Sequence, residues 1–274
     1  HPTTHPEWAE HQGYRFLHGL QRLQFGAPEF LRDRMLTLQD FESLAQSPGV
    51  LLLELPYRPL GGQLPPWEDL LATHAWAAER GIPLHLDGAR VWPCRPFYGH
   101  ADYRPIADLF DSIYLSFYKD LGGLAGAMLL GPASFVEEAK VWRVRHGGRL
   151  NTIAPLVASA RQGMARVLPQ IDGWVAKAQA VAAALSEFDR ISVVPDAPHV
   201  NMFQLYIRGE TCDPSRALNE RHLALAEETG TFLFWGLGPS SVPGVAQTEI
   251  HCWENAAQFD LDALRPFVER LLVS

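Results

Sequence analysis

The sequence predicts an α/β domain with a mainly parallel sheet, followed by a smaller α+β domain. Three observations carry this expectation. Through the first 150 residues, continuous apolar runs of strand length alternate with helical patterns, the order produced by strand–helix–strand units whose sheet is covered on both faces. Beyond residue 150 the order changes to successive helices and then short strands. The chain has 274 residues, 47% of them hydrophobic and 20% charged, which is ample for a large core and a second, smaller one. We expect the large domain over residues 1–168 and the small one over 169–274.

The elements are legible one by one. "GVLLLELP" (49–56) is an apolar run of strand length. "PPWEDLLATHAWAAERG" (65–81) places Trp67, Leu70, Leu71, Ala75 and Ala78 at helical spacing, with Pro66 near its start and Gly81 as its stop. Residues 82–86, "SIYLSF" (112–117) and "LAGAMLLG" (124–131) read as strands, and "PASFVEEAKVWRVRHGG" (132–148) as a helix closing on glycine. Two helical stretches follow, "IAPLVASARQGMARVL" and "GWVAKAQAVAAALSEF". Short strands are then expected at "ISVV" (191–194), "VNMFQLYI" (200–207), "TFLFW" (231–235) and "QTEIHCW" (247–253), with helices near 215–228 and 260–272.

Bulk chemistry narrows the partners. A net charge of −8 argues against nucleic acid, whose binders carry a basic face. No run of about 18 apolar residues exists to span a membrane. The opening "HPTTHPEWAEHQ" is polar and proline-rich, unlike a signal peptide. Cys94, Cys212 and Cys252 are odd in number and lack zinc-site spacing, which suits a reducing compartment. The expectation is a cytoplasmic protein acting on a small molecule, with no metal.

Two motifs carry the chemistry. In "HLDGARVW", Asp87 and Arg90 arrive where an apolar strand ends, and ligands of open α/β sheets bind at the carboxyl ends of strands. A mutual salt bridge capping a turn, with Gly88 supplying backbone freedom, is the plainer alternative. In "IYLSFYKDLGGLAG", Lys119 directly follows an apolar run, a costly place for an amine unless it is paired, exposed or used covalently. An ordinary loop lysine beside Asp120 is the alternative there. The glycines do not have the phosphate-loop order. Together the three residues suit pyridoxal phosphate (PLP), which needs a lysine for its Schiff base and an acid to keep the pyridine nitrogen protonated. The carboxylate of an α-amino acid substrate needs an arginine, a bidentate match.

"HLDGARVW", then "SFYKDLGG", then "RHGGRLN" resemble the threonine aldolase and β-eliminating lyase family of fold type I PLP enzymes. The resemblance covers nearly the whole chain. It implies PLP as cofactor, Lys119 as its covalent anchor, Asp87 as the acid at the pyridine nitrogen and Arg90 as the holder of cofactor and substrate carboxylate. It also implies that His5 stacks on the cofactor ring, while His1 and His11 carry no role. A homodimer or homotetramer is implied, because the family's sites lie between subunits. The chain departs from the family in three ways. The family's N-terminal part, with the small-residue turn that grips the cofactor phosphate, has no match here. Asn151 stands where the family has an arginine, with Arg149 two residues earlier. His251 stands where a second carboxylate-binding arginine is expected, and we expect it to contact substrate. The implied activity is cleavage of the Cα–Cβ bond of β-hydroxy-α-amino acids to glycine and an aldehyde. The alternatives are β-elimination or another PLP reaction on an amino acid, or a non-catalytic PLP-binding relative.

Overall fold

The computed structural model describes residues 1, 3–23, 34–254 and 260–273. The chain divides into two compact units, residues 1–59 with 64–169, and residues 60–63 with 170–274.

The large unit is built on four strands, β1 (Leu51–Glu54), β2 (Leu84–Gly88), β3 (Ser112–Ser116) and β4 (Ala127–Leu130), hydrogen-bonded in that order. The first three run parallel and β4 is antiparallel to β3. Helix α1 (Trp67–Glu79) carries the chain from β1 to β2 and buries Leu70, Thr73, Trp76 and Ala77 at its helical period. Along β2, Leu84, Leu86 and Gly88 are buried while His85 and Asp87 are half-buried, so the period-two pleat sorts the strand into a core face and a partly open one.

Register then decides what shares the open face. Leu52 pairs with His85 and His85 with Ser112; one step further, Glu54 pairs with Asp87 and Asp87 with Tyr114. The His85 Nδ1 to Ser112 Oγ hydrogen bond of 2.7 Å confirms that these partners project to one side. All four β4 residues are exposed. Helix α2 (Ala133–Arg145) buries no residue within the unit, and α3 (Ala154–Val167) buries Ala160, Gly163 and Val167.

The small unit is an antiparallel sheet with helices. Its strands are β5 (Ile191–Val194), β6 (Met202–Arg208), β7 (Gly238–Pro239) and β8 (Val245–His251), in the order β5-β6-β8-β7. Helix α4 (Ile171–Leu185) buries Ile171, Trp174, Val175, Ala178, Val181, Ala182 and Leu185, a full apolar stripe. Helix α5 (Ser215–Thr229) and α4 both contact α6 (Leu261–Leu272), whose Leu264, Phe267, Val268 and Leu271 are buried. Residues 60–63 belong here because Gly61, at φ +73°, lies so close to Val194 that a Cβ would stand 1.9 Å from its carbonyl oxygen.

The stretch "TFLFW" (231–235), expected as a strand, is irregular. Its strand propensity is overridden by His222: the buried Nε2 accepts the backbone N–H of Leu233 at 3.1 Å and of Phe234 at 3.4 Å. The ring stacks on Phe234 at 3.9 Å. Donors spent on a side chain cannot join a ladder, and Trp235 is left 92% exposed. The third strand of this sheet falls instead at Gly238–Pro239.

Candidate active site

Asp87 is the next-to-last residue of β2, where the parallel strands end together. Its Oδ1 accepts the Ala89 N–H at 3.1 Å, turning the chain out of the sheet toward Arg90. The turn is tied to the neighbouring strand by Ser116, a buried residue whose Oγ donates to the Ala89 carbonyl at 2.8 Å. One hydrogen bond therefore ties the loop after β2 to the end of β3.

Lys119 follows β3 in a tight turn. Gly122 N–H donates to the Lys119 carbonyl at 2.9 Å and Gly123 N–H to that of Phe117 at 2.7 Å. A Cβ on Gly123 would stand 2.5 Å from the Phe117 oxygen, so only glycine closes this turn. The lysine is half-buried, and its pKa is lowered by that burial first and by the Arg90 guanidinium second, against the opposing pull of Tyr118 and Asp87. Its Nζ lies 5.9 Å from the centre of the Tyr118 ring. A lysine shifted downward holds more of the neutral amine that can act as a nucleophile.

His5 begins a single helical turn, His5–Trp8. Its backbone N–H donates to Glu54 Oε1, and its ring Nδ1 lies 3.2 Å from Glu10 Oε1. Glu54 is the last residue of β1 and the register partner of Asp87. The structure thus brings His5, Asp87, Arg90 and Lys119 to the carboxyl ends of β1, β2 and β3 in one unit.

Glu54 and Tyr114 were not among the residues singled out from the sequence, although both flank Asp87 on the same face. Burial first, and then Asp87, push the Glu54 carboxyl up to about 7, against the pull of the His5 N–H. Tyr114 is raised by burial first and by Tyr118 second, with Asp87 adding to it. The available signal for Glu54 was a carboxylate closing the run "LLLE", the same pattern that singled out Asp87. A separate cavity of about 50 Å³ behind β1 touches Glu54 and Leu55 but none of Asp87, Arg90 and Lys119. His251 lies in the small unit on β8, where its Nε2 pairs with Glu249 and its ring stacks on Trp253 at 4.5 Å. Its Nδ1 is buried with no hydrogen-bond partner among the described residues. Arg149 and Asn151 are exposed beyond α2.

Comparison with known proteins shows the family to which the chain belongs. Residues 4–208 match the family model described as beta-eliminating lyase. A Listeria monocytogenes protein assigned to the L-allo-threonine aldolases superposes with a TM-score of 0.90 at 34% identity, over 99% of this chain and 73% of that one. An Exiguobacterium protein assigned as an aromatic amino acid beta-eliminating lyase or threonine aldolase gives 0.88 at 34% identity, again over 99% and 73%. The low-specificity L-threonine aldolase of Saccharomyces cerevisiae is 27% identical over 157 residues, 57% of this chain and 40% of that protein. The chain thus spans less than half the length of this curated relative.

Proposed function

Because the chain belongs to the beta-eliminating lyase family, we propose that it acts as a PLP-dependent lyase of the aldolase type. The reaction is cleavage of the Cα–Cβ bond of β-hydroxy-α-amino acids, leaving glycine and an aldehyde. The observation that carries this reading is the meeting of Asp87, Arg90 and Lys119 at adjoining parallel strand ends, with the lysine pKa lowered by its surroundings.

The cofactor is pyridoxal phosphate, and the donor set fits it: an amine of lowered pKa, a carboxylate on the neighbouring strand and a guanidinium close enough to act on the amine. When bound, it supplies the electron sink for the charge left at Cα. Lys119 would hold the cofactor through its amine. Asp87 holds the proton on the pyridine nitrogen, and Ala89 N–H keeps its carboxylate aimed. Arg90 takes the substrate carboxylate in its planar fork. The His5 ring would lie beside the cofactor and receive the β-hydroxyl proton directly or through water.

We place this activity in a homodimer or homotetramer in the cytoplasm; among the described residues no helix is long and apolar enough to cross a membrane. The test is a substrate panel with the whole natural protein and PLP: L-threonine, L-allo-threonine, L-serine and the aromatic amino acids. Glycine with an aldehyde is the expected product pair. A keto acid with ammonia would move the assignment to β-elimination, and no turnover of any of them would overturn the lyase reading. Light scattering checks the oligomer.

A further inference from the structure

We propose that Glu54 is a positioning residue that fixes the height of His5 beside Asp87, a role that rests on the PLP site proposed above. The last residue of β1 would ordinarily be solvated, yet Glu54 is 8% exposed. A buried carboxylate that merely filled space would be replaced at lower cost by leucine, the residue at the three preceding positions of the strand. Its Oε1 instead accepts the backbone N–H of His5. Its parallel register partner is Asp87, so both carboxylates project from the same face of the sheet. The His5 ring is held separately by Glu10. Two acids therefore fix one histidine, one at its backbone and one at its ring.

The electrostatics agree with that geometry. Burial raises the Glu54 carboxyl and Asp87 raises it further, while the His5 N–H and Lys119 act in the opposite direction. Protonated or not, the group keeps an oxygen to accept from His5. A glutamine keeps that oxygen as well, and a leucine of similar size does not.

The experiment compares Glu54→Gln and Glu54→Leu in the whole natural protein loaded with PLP. The readouts are the visible circular dichroism of bound PLP, the kcat and KM of the best substrate of the panel, and the thermal midpoint. Misplacement of a group by about 1 Å costs on the order of a hundredfold in rate. Glu54→Leu is therefore expected to lose roughly 10- to 100-fold in kcat, with KM changed less than about threefold, and to alter the dichroic band. Glu54→Gln is expected to recover both. A Leu variant matching the parent in band and kcat overturns the proposal, as does a Gln variant that loses as much as Leu. If Glu54→Leu does not fold, Glu54→Asp carries the test, because it keeps the charge but shortens the reach by one methylene; a parent-like Asp variant overturns the proposal. Should the parent bind PLP and cleave nothing, the proposed reaction fails while the dichroic comparison still decides the role of Glu54.

Discussion

The two units use their polar groups differently. In the small unit Asn201, Asn219 and His222 are bonded to backbone. Asn201 Nδ2 donates to the Cys252 carbonyl at 3.1 Å while Cys252 N–H donates to that of Asn201 at 2.8 Å. Asn219 exchanges two 2.8 Å bonds with Leu237, and His222 accepts two backbone N–H groups. In the large unit the polar groups at the strand ends act on one another. Burial and Asp87 push Glu54 and Tyr114 up, while burial and then Arg90 push Lys119 down against the pull of Asp87. Mutually satisfied polar groups hold a fold together, whereas charges left to perturb one another mark chemistry. The same residue types thus tell a structural region from a candidate site.

Substitutions on both sides test that contrast. The largest effect is expected at Lys119. Lys119→Ala should lower turnover by roughly a thousandfold or more, the scale of deleting a covalent nucleophile, with no change in thermal midpoint; peptide mapping after borohydride reduction should find the pyridoxyl adduct on Lys119 in the parent. Asp87→Ala should cost on the order of a hundred- to a thousandfold in kcat while PLP still attaches, read by its visible absorbance. A turnover close to the parent's would make Asp87 a turn cap alone.

On the structural side the loss is in stability. Gly61→Ala combines a positive φ with a Cβ driven into the Val194 carbonyl, and about 4 kcal/mol of destabilisation is expected from strain and overpacking together, measured by denaturant unfolding. His222→Leu leaves the Leu233 and Phe234 N–H groups without their acceptor, with an expected loss of about 2 kcal/mol. The units should also respond oppositely to pH. Burial lowers His222 from 6.5 to about 4, so its contribution is complete above 6.5 and fades as pH falls toward 4. Glu54 is raised from 4.5 to about 7, so its contribution is complete below 4.5 and fades as pH rises through 7. Hydrogen exchange between pH 4.5 and 7 should show protection rising with pH around Leu233 and Phe234, and falling with pH at the end of β1. Parallel trends in the two units would erase the distinction.

Much of this organisation is legible in the sequence because burial writes itself as periodicity. The helix Trp67–Glu79 and the strands ending at Glu54, Gly88 and Ser116 fall within the expected stretches, give or take two residues at their ends. Asp87 and Lys119 stand out because each places a charge directly after an apolar run. Glu54 has the same signature, a carboxylate closing an apolar run. Strand direction is not encoded in an apolar run, so the antiparallel course of β4 is invisible in "LAGAMLLG". Propensity misreads "TFLFW" because the acceptor that claims its donors lies on a helix, 11 and 12 positions upstream. The contact of Gly61 with Val194 joins positions far apart in sequence, which no local pattern reveals.

The outer edge of β4 has a practical consequence. Among the described residues, Ala127, Met128, Leu129 and Leu130 lie at the end of the strand order, uncharged and exposed. An uncharged, proline-free edge of this kind is a template for strand addition.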